Sequence, residues 1–311
     1  MSRPQKLALP LLDGVAASAL HCPNGAWTSV IDFLAERLPR VERVEWLARM
    51  ERGEVLDETG AALPPNAPFQ ANRRLYYYRL LPAEPQIPFE EHIVFQDELL
   101  LIADKPHFLP VTPKGRYVQQ TLLTRLVKRT GIVTLSPIHR IDRETAGLVA
   151  FAIRPGTRDA YQALFRDRAV HKTYEAIAPW RADLALPMLY RSRLEEREDA
   201  FMQMREVPGE PNSETRISVI EEDHDAQLAR YLLEPLSGRK HQLRAQMSAL
   251  GLPILGDRIY PDLLPEEATP DYRAPLQLLA QSLEFTDPIT GLRRRFESAQ
   301  RLALPGRLPE C

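Results

Sequence analysis

Apolar residues near the N-terminus recur at helical intervals and predict a small helical region. One helix would bury a face formed by Val30, Phe33, Leu34 and Leu38. Pro39 would end it. A second helix would turn inward Val44, Leu47 and Ala48. Gly53 would follow the last residue of this second helix, and a hairpin would begin at Val55 and return over residues 74–81.

Beyond about residue 90 the pattern changes to short alternating stretches, which are typical of half-buried strands. Strands are predicted over residues 93–95, 99–103, 148–153, 174–178, 217–221, 228–233, 276–285 and 293–297. Helices are predicted over residues 121–128, 157–165 and 241–250. Many strands with hairpin-length connections and interspersed helices indicate an α+β fold built on a large, mainly antiparallel, mixed sheet.

Three prolines, Pro82, Pro85 and Pro88, predict a stiff linker between two regions. The chain is therefore divided into an irregular N-terminal arm (1–27), a small helix-hairpin module (28–82), a proline-rich linker (83–88) and a large domain (89–311). The module has too few residues to bury much core alone.

Composition and charge exclude several classes of protein. The 311 residues are 44% hydrophobic and 26% charged with a net charge of −2, which excludes general disorder and a histone-like basic protein. Only six of the 40 basic residues are lysines. Arginine grips phosphate with a planar fork, although high genomic GC content would produce the same bias.

Cysteine usage and the start of the chain indicate a cytoplasmic protein. Cys22 and Cys311 cannot form a disulfide framework, and a reducing compartment fits. The first 22 residues imitate a signal peptide, but Pro10 and Asp13 interrupt the apolar run. We find no run of about 20 apolar residues and expect no membrane span.

Common cofactor and metal motifs are missing from the sequence. It contains neither of the glycine-rich phosphate loops, GxGxxG and GxxxxGK[ST], and no GxSxG nucleophile motif. The seven histidines are scattered without metal-ligand spacing. We therefore expect no nucleotide cofactor and no metal site.

The densest cluster of reactive side chains surrounds Asp142, between Arg140 and Arg143. An apolar strand follows at once, so Asp142 is predicted to lie in a loop at a sheet edge, where guanidinium groups make an ionised acid tolerable. Alternatively, Asp142 is a turn residue whose carboxylate binds nearby backbone N–H groups.

A second cluster, residues 236–244, places Arg239 and Lys240 in the first turn of a predicted helix. Cations oppose the helix dipole there, so an anion such as phosphate is expected nearby; the alternative is an exposed basic turn. The buried stripe of this helix would be Leu243, Met247 and Leu250. In a third stretch, Tyr174 lies in an alternating strand and taken alone reads as a core residue.

These segments together resemble the RluA-type pseudouridine synthases. His139-Arg140-Ile141-Asp142, followed by Thr145 and Gly147-Leu148, is similar to the family motif HRLDxxTSGL. Residues 172–176 resemble the KxYxA strand, and residues 237–244 with 251–257 resemble the TGRTHQIR…G-PI-GD segment. Residues 276–288 resemble the closing LxLHAxxLxFxHP strand, so the likeness extends from about 89 to 297.

The resemblance implies isomerisation of uridine to pseudouridine in structured RNA, in a central active-site cleft and without a cofactor. Ribosomal RNA is the first expected target and transfer RNA the second. By resemblance, Asp142 is the nucleophile or base, Arg244 pairs with it, Tyr174 packs on the flipped uracil and can assist proton removal from C5, and Arg140 fills the gap left by the base. Further RNA contacts are expected from Arg143, Lys172, Arg239, Lys240 and His241.

Some positions depart from the family pattern, namely Ala146, Lys240, Gln246 and Leu279. They keep two alternatives open: a non-catalytic RNA-binding protein that retains the fold, and a hydrolase that uses Asp142 with His139. Residues 28–82 resemble the small αL RNA-binding module, the alternative being a dimerisation or packing appendage. We expect a monomer.

Overall fold

The computed structural model describes residues 7, 9–79, 84–197, 202–265 and 271–304. Its contacts divide the chain into two units. The first contains residues 1–84, 115–119 and 127–133, and the second contains the remaining residues. The main division falls between Glu84 and Pro85, within the segment predicted as a linker.

The first unit is a three-stranded antiparallel sheet with two helices. Its elements are β1 (Ser18–His21), α1 (Val30–Arg37), α2 (Arg43–Glu51), β2 (Val55–Leu56) and β3 (Arg74–Tyr77). The strand order is β1-β3-β2, so the predicted hairpin is present. Residues 18–21, which were predicted to lie in an irregular arm, instead form β1 because their backbone pairs with β3 over long sequence separation.

Helix α1 buries the face that was predicted, whereas α2 buries a different one. In α1, Val30, Phe33 and Leu34 are buried as predicted. In α2 the prediction was wrong at Val44, which is 72% exposed. Trp46 takes the inward position, fully buried with its ring 5.3 Å from that of Tyr77, because the larger side chain removes more apolar surface from water.

The elements of the rest of the chain are β4 (His92–Gln96), β5 (Leu100–Lys105), α3 (Leu122–Thr130), β6 (Ser136–Pro137), β7 (Ala146–Ala152), α4 (Arg158–Arg166), β8 (His171–Pro179), β9 (Met188–Glu196), β10 (Met204–Val207), β11 (Ser213–Asp223), β12 (Leu228–Pro235), α5 (Gln242–Ala249), β13 (Leu278–Thr286) and β14 (Arg293–Glu297). Within the described ranges, none of the helices combines the length and the apolar character that crossing a bilayer requires.

One large sheet dominates the second unit, in the order β10-β9-β11-β12-β8-β13-β7-β5-β4, with β14 beside β13 and β6 beside β7. All pairs are antiparallel except β7 with β13. The predicted α+β class with a mainly antiparallel mixed sheet is therefore confirmed. Strands β9 and β10 were not predicted, because the residues of β9, MLYRSRLEE, are rich in charge and β10 is only four residues long.

Three neighbouring strands meet where the candidate chemistry lies. Gly147 on β7 pairs with Ala280 on β13, and Ala280 also pairs with Tyr174 on β8. A Cβ at position 147 would lie 2.2 Å from the Ala280 carbonyl oxygen, and Gly147 has a φ of 107°. Only glycine permits this approach, which brings the loop before β7 close to Tyr174.

Candidate active site

Asp142 lies in the loop between β6 and β7, as predicted, with 29% of its side chain exposed. Its Oδ2 accepts a hydrogen bond of 3.1 Å from Nη1 of Arg244. The Nε2 of His241 lies 3.7 Å from the other carboxylate oxygen. Arg244 thus fixes one oxygen of the carboxylate, and the side chain remains partly exposed. Asp142 and Arg244 are 102 residues apart in sequence, so the fold brings them together.

Arg244 projects from α5 and is almost fully buried between two carboxylates. Besides Asp142, it donates from Nε and Nη2 to the two oxygens of Asp257, at 2.8 and 2.6 Å. Asp257 is 1% exposed and also accepts from the backbone N–H groups of Ile259 and Tyr260. Burial lowers the pKa of Arg244, but Asp257 and Asp142 outweigh that effect and leave the guanidinium charged.

Tyr174 lies on β8 and packs against the core cluster that includes Leu243 and Met247 of α5. Burial raises the pKa of its phenol, and the negative charge of Asp142 raises it further. Tyr174 is thus packed beside α5, the helix that carries Arg244, and the residue opposite it, Ala280, also pairs with Gly147, just after the Asp142 loop. These contacts bring Tyr174 to the region of Asp142 and Arg244.

A buried lysine fixes the loop that carries Asp142. Lys105 is fully buried at the end of β5, and its Nζ donates to the carbonyl oxygens of Pro106 and Arg143, each at 3.0 Å. Burial lowers the pKa of Lys105 to about 7, against the opposing effect of Glu144 and Asp142. The Arg143 side chain pairs with Glu144 at 2.6 Å, so it is engaged within the loop.

The remaining predicted RNA contacts differ in their surroundings. Arg140 is exposed, and Lys172 donates from Nζ to the Ser237 carbonyl at 3.1 Å. Arg239 donates to the carbonyl of Asn212 at 3.2 Å, and Lys240 pairs with Glu196 at 3.0 Å. His241 packs its ring 5.8 Å from that of Tyr260.

The start of α5 corrects one prediction. Arg239 and Lys240 were predicted in the first turn, but α5 begins at Gln242, and His241 precedes it with a left-handed φ of 51°. The two cations therefore lie just before the helix and not in its first turn. The predicted one-sided stripe was also too narrow, because residues 242–247 are all buried.

Buried amides explain how α5 can lie inside the protein. The Gln246 side chain donates to the hydroxyls of Ser192 and Ser213, at 3.0 and 3.2 Å, and accepts from Thr215 at 2.6 Å. Gln242 likewise donates to Thr215 and accepts from Ser237. A buried polar group is tolerated when it is hydrogen-bonded, so this departure from the family pattern leaves the pair between Arg244 and Asp142 intact.

His139 is engaged in packing, which argues against the hydrolase alternative. Its Nε2 accepts from the N–H of Ala150 at 3.1 Å, and its ring stacks on Phe165 at 4.4 Å. Burial lowers the pKa of His139 to about 3, with a contribution from Lys172. A histidine that is so weakly basic is a poor general base at neutral pH.

Sequence analysis did not assign Asp257 and Lys105 to the site. Asp257 belongs to a segment that carried the family resemblance, but its pairing with Arg244 follows from the burial of that arginine, which the sequence pattern did not predict. Lys105 offered only its place at the end of an apolar strand. Among the described residues, no group of three or more His, Cys, Asp or Glu side chains is arranged to hold a metal ion.

The chain is similar to RNA pseudouridine synthases. The RNA pseudouridylate synthase family matches residues 99–249. The dual-specificity RNA pseudouridine synthase RluA of Haemophilus influenzae is 30% identical over 232 residues, which cover 70% of this chain and 94% of that protein. An RNA pseudouridine synthase of Synechocystis is 28% identical over 236 residues, covering 74% of this chain and 79% of the relative.

A solved structure shows the same fold. The human protein RNA pseudouridylate synthase domain containing 1 superposes with a TM-score of 0.57 at 22% identity, over 70% of this chain and 86% of that one. The large sheet, which contains Tyr174 and borders the Asp142 loop, therefore has the architecture found in this solved structure.

Proposed function

The chain belongs to the RluA-type pseudouridine synthases, enzymes that isomerise uridine in RNA, and we propose that it does so on a flipped uridine with Asp142 as the nucleophile. One observation carries the proposal: the Asp142 carboxylate, which is 29% exposed, accepts a hydrogen bond from a guanidinium that is 2% exposed. The Asp142 carboxylate is oriented by a buried cation and remains partly exposed.

The reaction rearranges bonds within one nucleotide. The bond between N1 of uracil and the ribose breaks, the base turns, and C5 joins the ribose. C5 gives up its proton and N1 gains one, so atoms and charge balance without any oxidant or group donor. In this scheme the Asp142 carboxylate forms a bond to the nucleotide, and that bond breaks again by the time C5 has joined the ribose, so the free carboxylate is regenerated. The hydrogen bond from Arg244 keeps the carboxylate oriented.

Tyr174 is assigned to packing on the flipped base. Since the pKa of its phenol is raised, the hydroxyl stays protonated at neutral pH and is unsuited to remove a proton as a phenolate. Stacking of a base on an aromatic ring is worth about 1–3 kcal/mol. Arg140, which is exposed beside Asp142, is assigned to the gap that the flipped base leaves.

The target is proposed to be ribosomal RNA first and transfer RNA second. The Haemophilus relative is named a dual-specificity enzyme, which supports testing both classes. We also propose that the first unit binds RNA and that the protein acts as a monomer. Arg37 and Arg40 in that unit are exposed and form no ion pair with the residues that the structure describes.

Mapping pseudouridine in total RNA tests the activity and its target together. Cells lacking the gene should lose pseudouridine at one or a few uridines, and a plasmid-borne wild-type copy should restore them. The Asp142→Asn variant should not restore any site, while its RNA affinity stays within a few-fold of wild type. Turnover by Asp142→Asn would remove Asp142 from the mechanism, and an unchanged map in the deletion would contradict the activity.

A further inference from the structure

A pocket of about 260 Å³ opens where β8 begins and β12 ends. Its lining includes Phe165, Arg168, Lys172, Leu236 and Ser237, and none of Asp142, Tyr174 and Arg244. We infer that this pocket holds a second nucleotide of the RNA, next to the target uridine, with its phosphate at Arg168 and Lys172 and its base against Phe165 and Leu236. The inference rests on the proposed function only in taking RNA as the ligand.

The charges around the pocket favour an anion. Lys172 donates one described hydrogen bond, to the Ser237 carbonyl, although an ammonium group has three hydrogens to donate. Arg168 is exposed and has no ion pair within the described part of the chain. The lining acid, Glu234, already pairs with His171 at 3.0 Å and with Arg216 at 3.8 Å.

The burial of Lys172 also favours an anion in the pocket. It lowers the pKa of Lys172 to about 8, with Arg168 contributing, so Lys172 is a mostly charged group in a poorly hydrated position. A phosphate between Lys172 and Arg168 would replace the hydration that the Lys172 ammonium loses and would also reach the exposed guanidinium of Arg168.

Arg168 occupies a backbone position that favours glycine. It follows α4 with a φ of 59°, its N–H donates to the carbonyl of Phe165, and the next N–H, of Ala169, donates to Leu164 at 2.7 Å. This is the hydrogen-bonding pattern of a helix end at which glycine is preferred, because other residues are strained there. Arginine at this position therefore lowers local stability, which is consistent with a side chain that is retained for ligand binding.

The uncharged walls suit a base of any identity. Phe165, Pro235 and Leu236 line the pocket, and Leu236 is 38% exposed although it is apolar. Bases stack on aromatic and apolar surfaces without regard to sequence, because each has a π face. The volume lies just below that of sites for drug-sized ligands, and so fits one nucleotide rather than a longer segment.

The position along β8 makes the occupant a neighbour of the target. Lys172 and Tyr174 are two residues apart in one strand, so their side chains point to the same face. Their Cα atoms are about 7 Å apart along an extended strand. An RNA strand whose uridine lies against Tyr174 would therefore bring an adjacent nucleotide to Lys172.

The first test uses a mononucleotide that is not a substrate. Adenosine 5′-monophosphate, titrated into the full chain, should shift the NMR signals of the Arg168 Nε–H group and the Phe165 ring. Adenosine, which lacks the phosphate, should leave the Arg168 signal in place. In Arg168→Gly the affinity for the monophosphate should fall at least fivefold, and in Lys172→Met it should fall similarly. An unmoved Arg168 signal, or equal affinity in both variants and wild type, would overturn the assignment.

The second test uses total RNA from cells that lack the gene, and measures the rate of pseudouridine formation against RNA concentration. Arg168→Gly should raise the apparent KM about tenfold, while kcat stays within about twofold, because the pocket holds substrate away from the reacting atoms. Its Tm should equal or exceed that of wild type, since glycine relieves the strained backbone. Arg166→Ala, which removes an exposed arginine of α4 outside the pocket lining, should keep both constants within about twofold.

The two tests separate the pocket from the activity. If wild type forms no pseudouridine in any RNA yet binds the monophosphate through Arg168, the proposed function fails and the nucleotide pocket stands. If wild type is active and Arg168→Gly keeps the wild-type KM, the pocket assignment fails alone. An equal loss in Arg166→Ala would also overturn it, because the effect would then be one of general charge.

Discussion

At the scale of single residues, the site depends on one guanidinium shared by two carboxylates. Arg244 makes two hydrogen bonds to Asp257 and one to Asp142. Burying a charge is costly unless it is paired and hydrogen-bonded. The position of the Asp142 carboxylate is therefore linked to the buried pair of Arg244 and Asp257.

Replacing Arg244 by methionine tests that coupling. Arg244→Met should lower the free energy of unfolding by about 3–5 kcal/mol, the cost of leaving a buried charge unpaired, and should abolish pseudouridine formation. Urea denaturation and a pseudouridine assay measure the two effects. Arg239→Met removes an exposed arginine just before the same helix and should change stability by less than about 0.5 kcal/mol. A stable Arg244→Met variant would show that Asp257 does not depend on this partner.

His139 predicts a specific dependence of stability on pH. Its pKa is about 3 in the folded chain and 6.5 when unperturbed, so the unfolded chain binds the additional proton between these values. Stability is fully present above pH 6.5 and is lost as the pH falls, by roughly 1.4 kcal/mol per pH unit. His139→Gln keeps an acceptor for the Ala150 N–H but cannot be protonated, so its stability should fall less steeply between pH 6.5 and 5. Parallel curves for the two proteins would place His139 in solvent.

At the scale of elements, periodicity identified most strands and helices but not their partners. The predicted stretches became β4, β5, β7, β8 and β11–β14. Alternation describes β12, where every second residue is buried, whereas β5 and β7 are short apolar runs that are buried at every position. β1 was missed since its pairing with β3 depends on residues far away in sequence. The inward face of α2 was misassigned because Trp46 outweighs Val44 in buried area, which a pattern of apolar letters does not express.

The same limits apply to the site. The loop position of Asp142 followed from the apolar strand after it, and its partnership with Arg244 came from family resemblance. The burial of residues 242–247 of α5 could not be predicted, because the hydroxyls that satisfy Gln242 and Gln246 come from distant segments. A prediction based on apolar residues alone places the side chains of Gln242 and Gln246 in solvent, although both are buried.

The contact between β7 and β13 predicts the effect of a single methyl group. Gly147→Ala would place Cβ 2.2 Å from the Ala280 carbonyl oxygen, at a φ of 107°. Stability should fall by about 3 kcal/mol, and activity should fall more than the folded fraction, since the Asp142 loop leads into this residue. Gly156→Ala, which meets nothing within 4 Å and has an ordinary φ, should be neutral in both assays. Equal behaviour of the two variants would mean that the strands can separate without cost.

At the scale of the whole molecule, RNA binding must come from charge placement, since the net charge is −2. Many arginines are engaged in ion pairs with nearby acids, as Arg191 is with Glu214 and Arg293 with Glu284. Exposed cations that form no ion pair with any residue in the described ranges, including Arg37, Arg40, Arg140 and Arg168, are therefore the groups most available to phosphates. Phosphate contacts release counterions, so affinity should fall steeply as salt rises.

Reversing two charges in the first unit tests whether it contributes. The double variant Arg37→Glu with Arg40→Glu should weaken binding to total RNA, and should reduce the slope of log affinity against log salt by about one per lost phosphate contact. Fluorescence anisotropy across a salt series measures both quantities. Arg166→Ala serves as the control in the second unit. Unchanged affinity and slope would favour a packing or dimerisation role, which light scattering would distinguish.

The double partnership of Arg244 has a consequence for what Asp142 is free to do. If Asp142 becomes esterified or protonated, its negative charge vanishes at that moment. Arg244 still faces the permanently enclosed acid Asp257, so no isolated cation is created in the interior. Asp142 can lose its charge temporarily in each turnover, while Asp257 continues to neutralise Arg244.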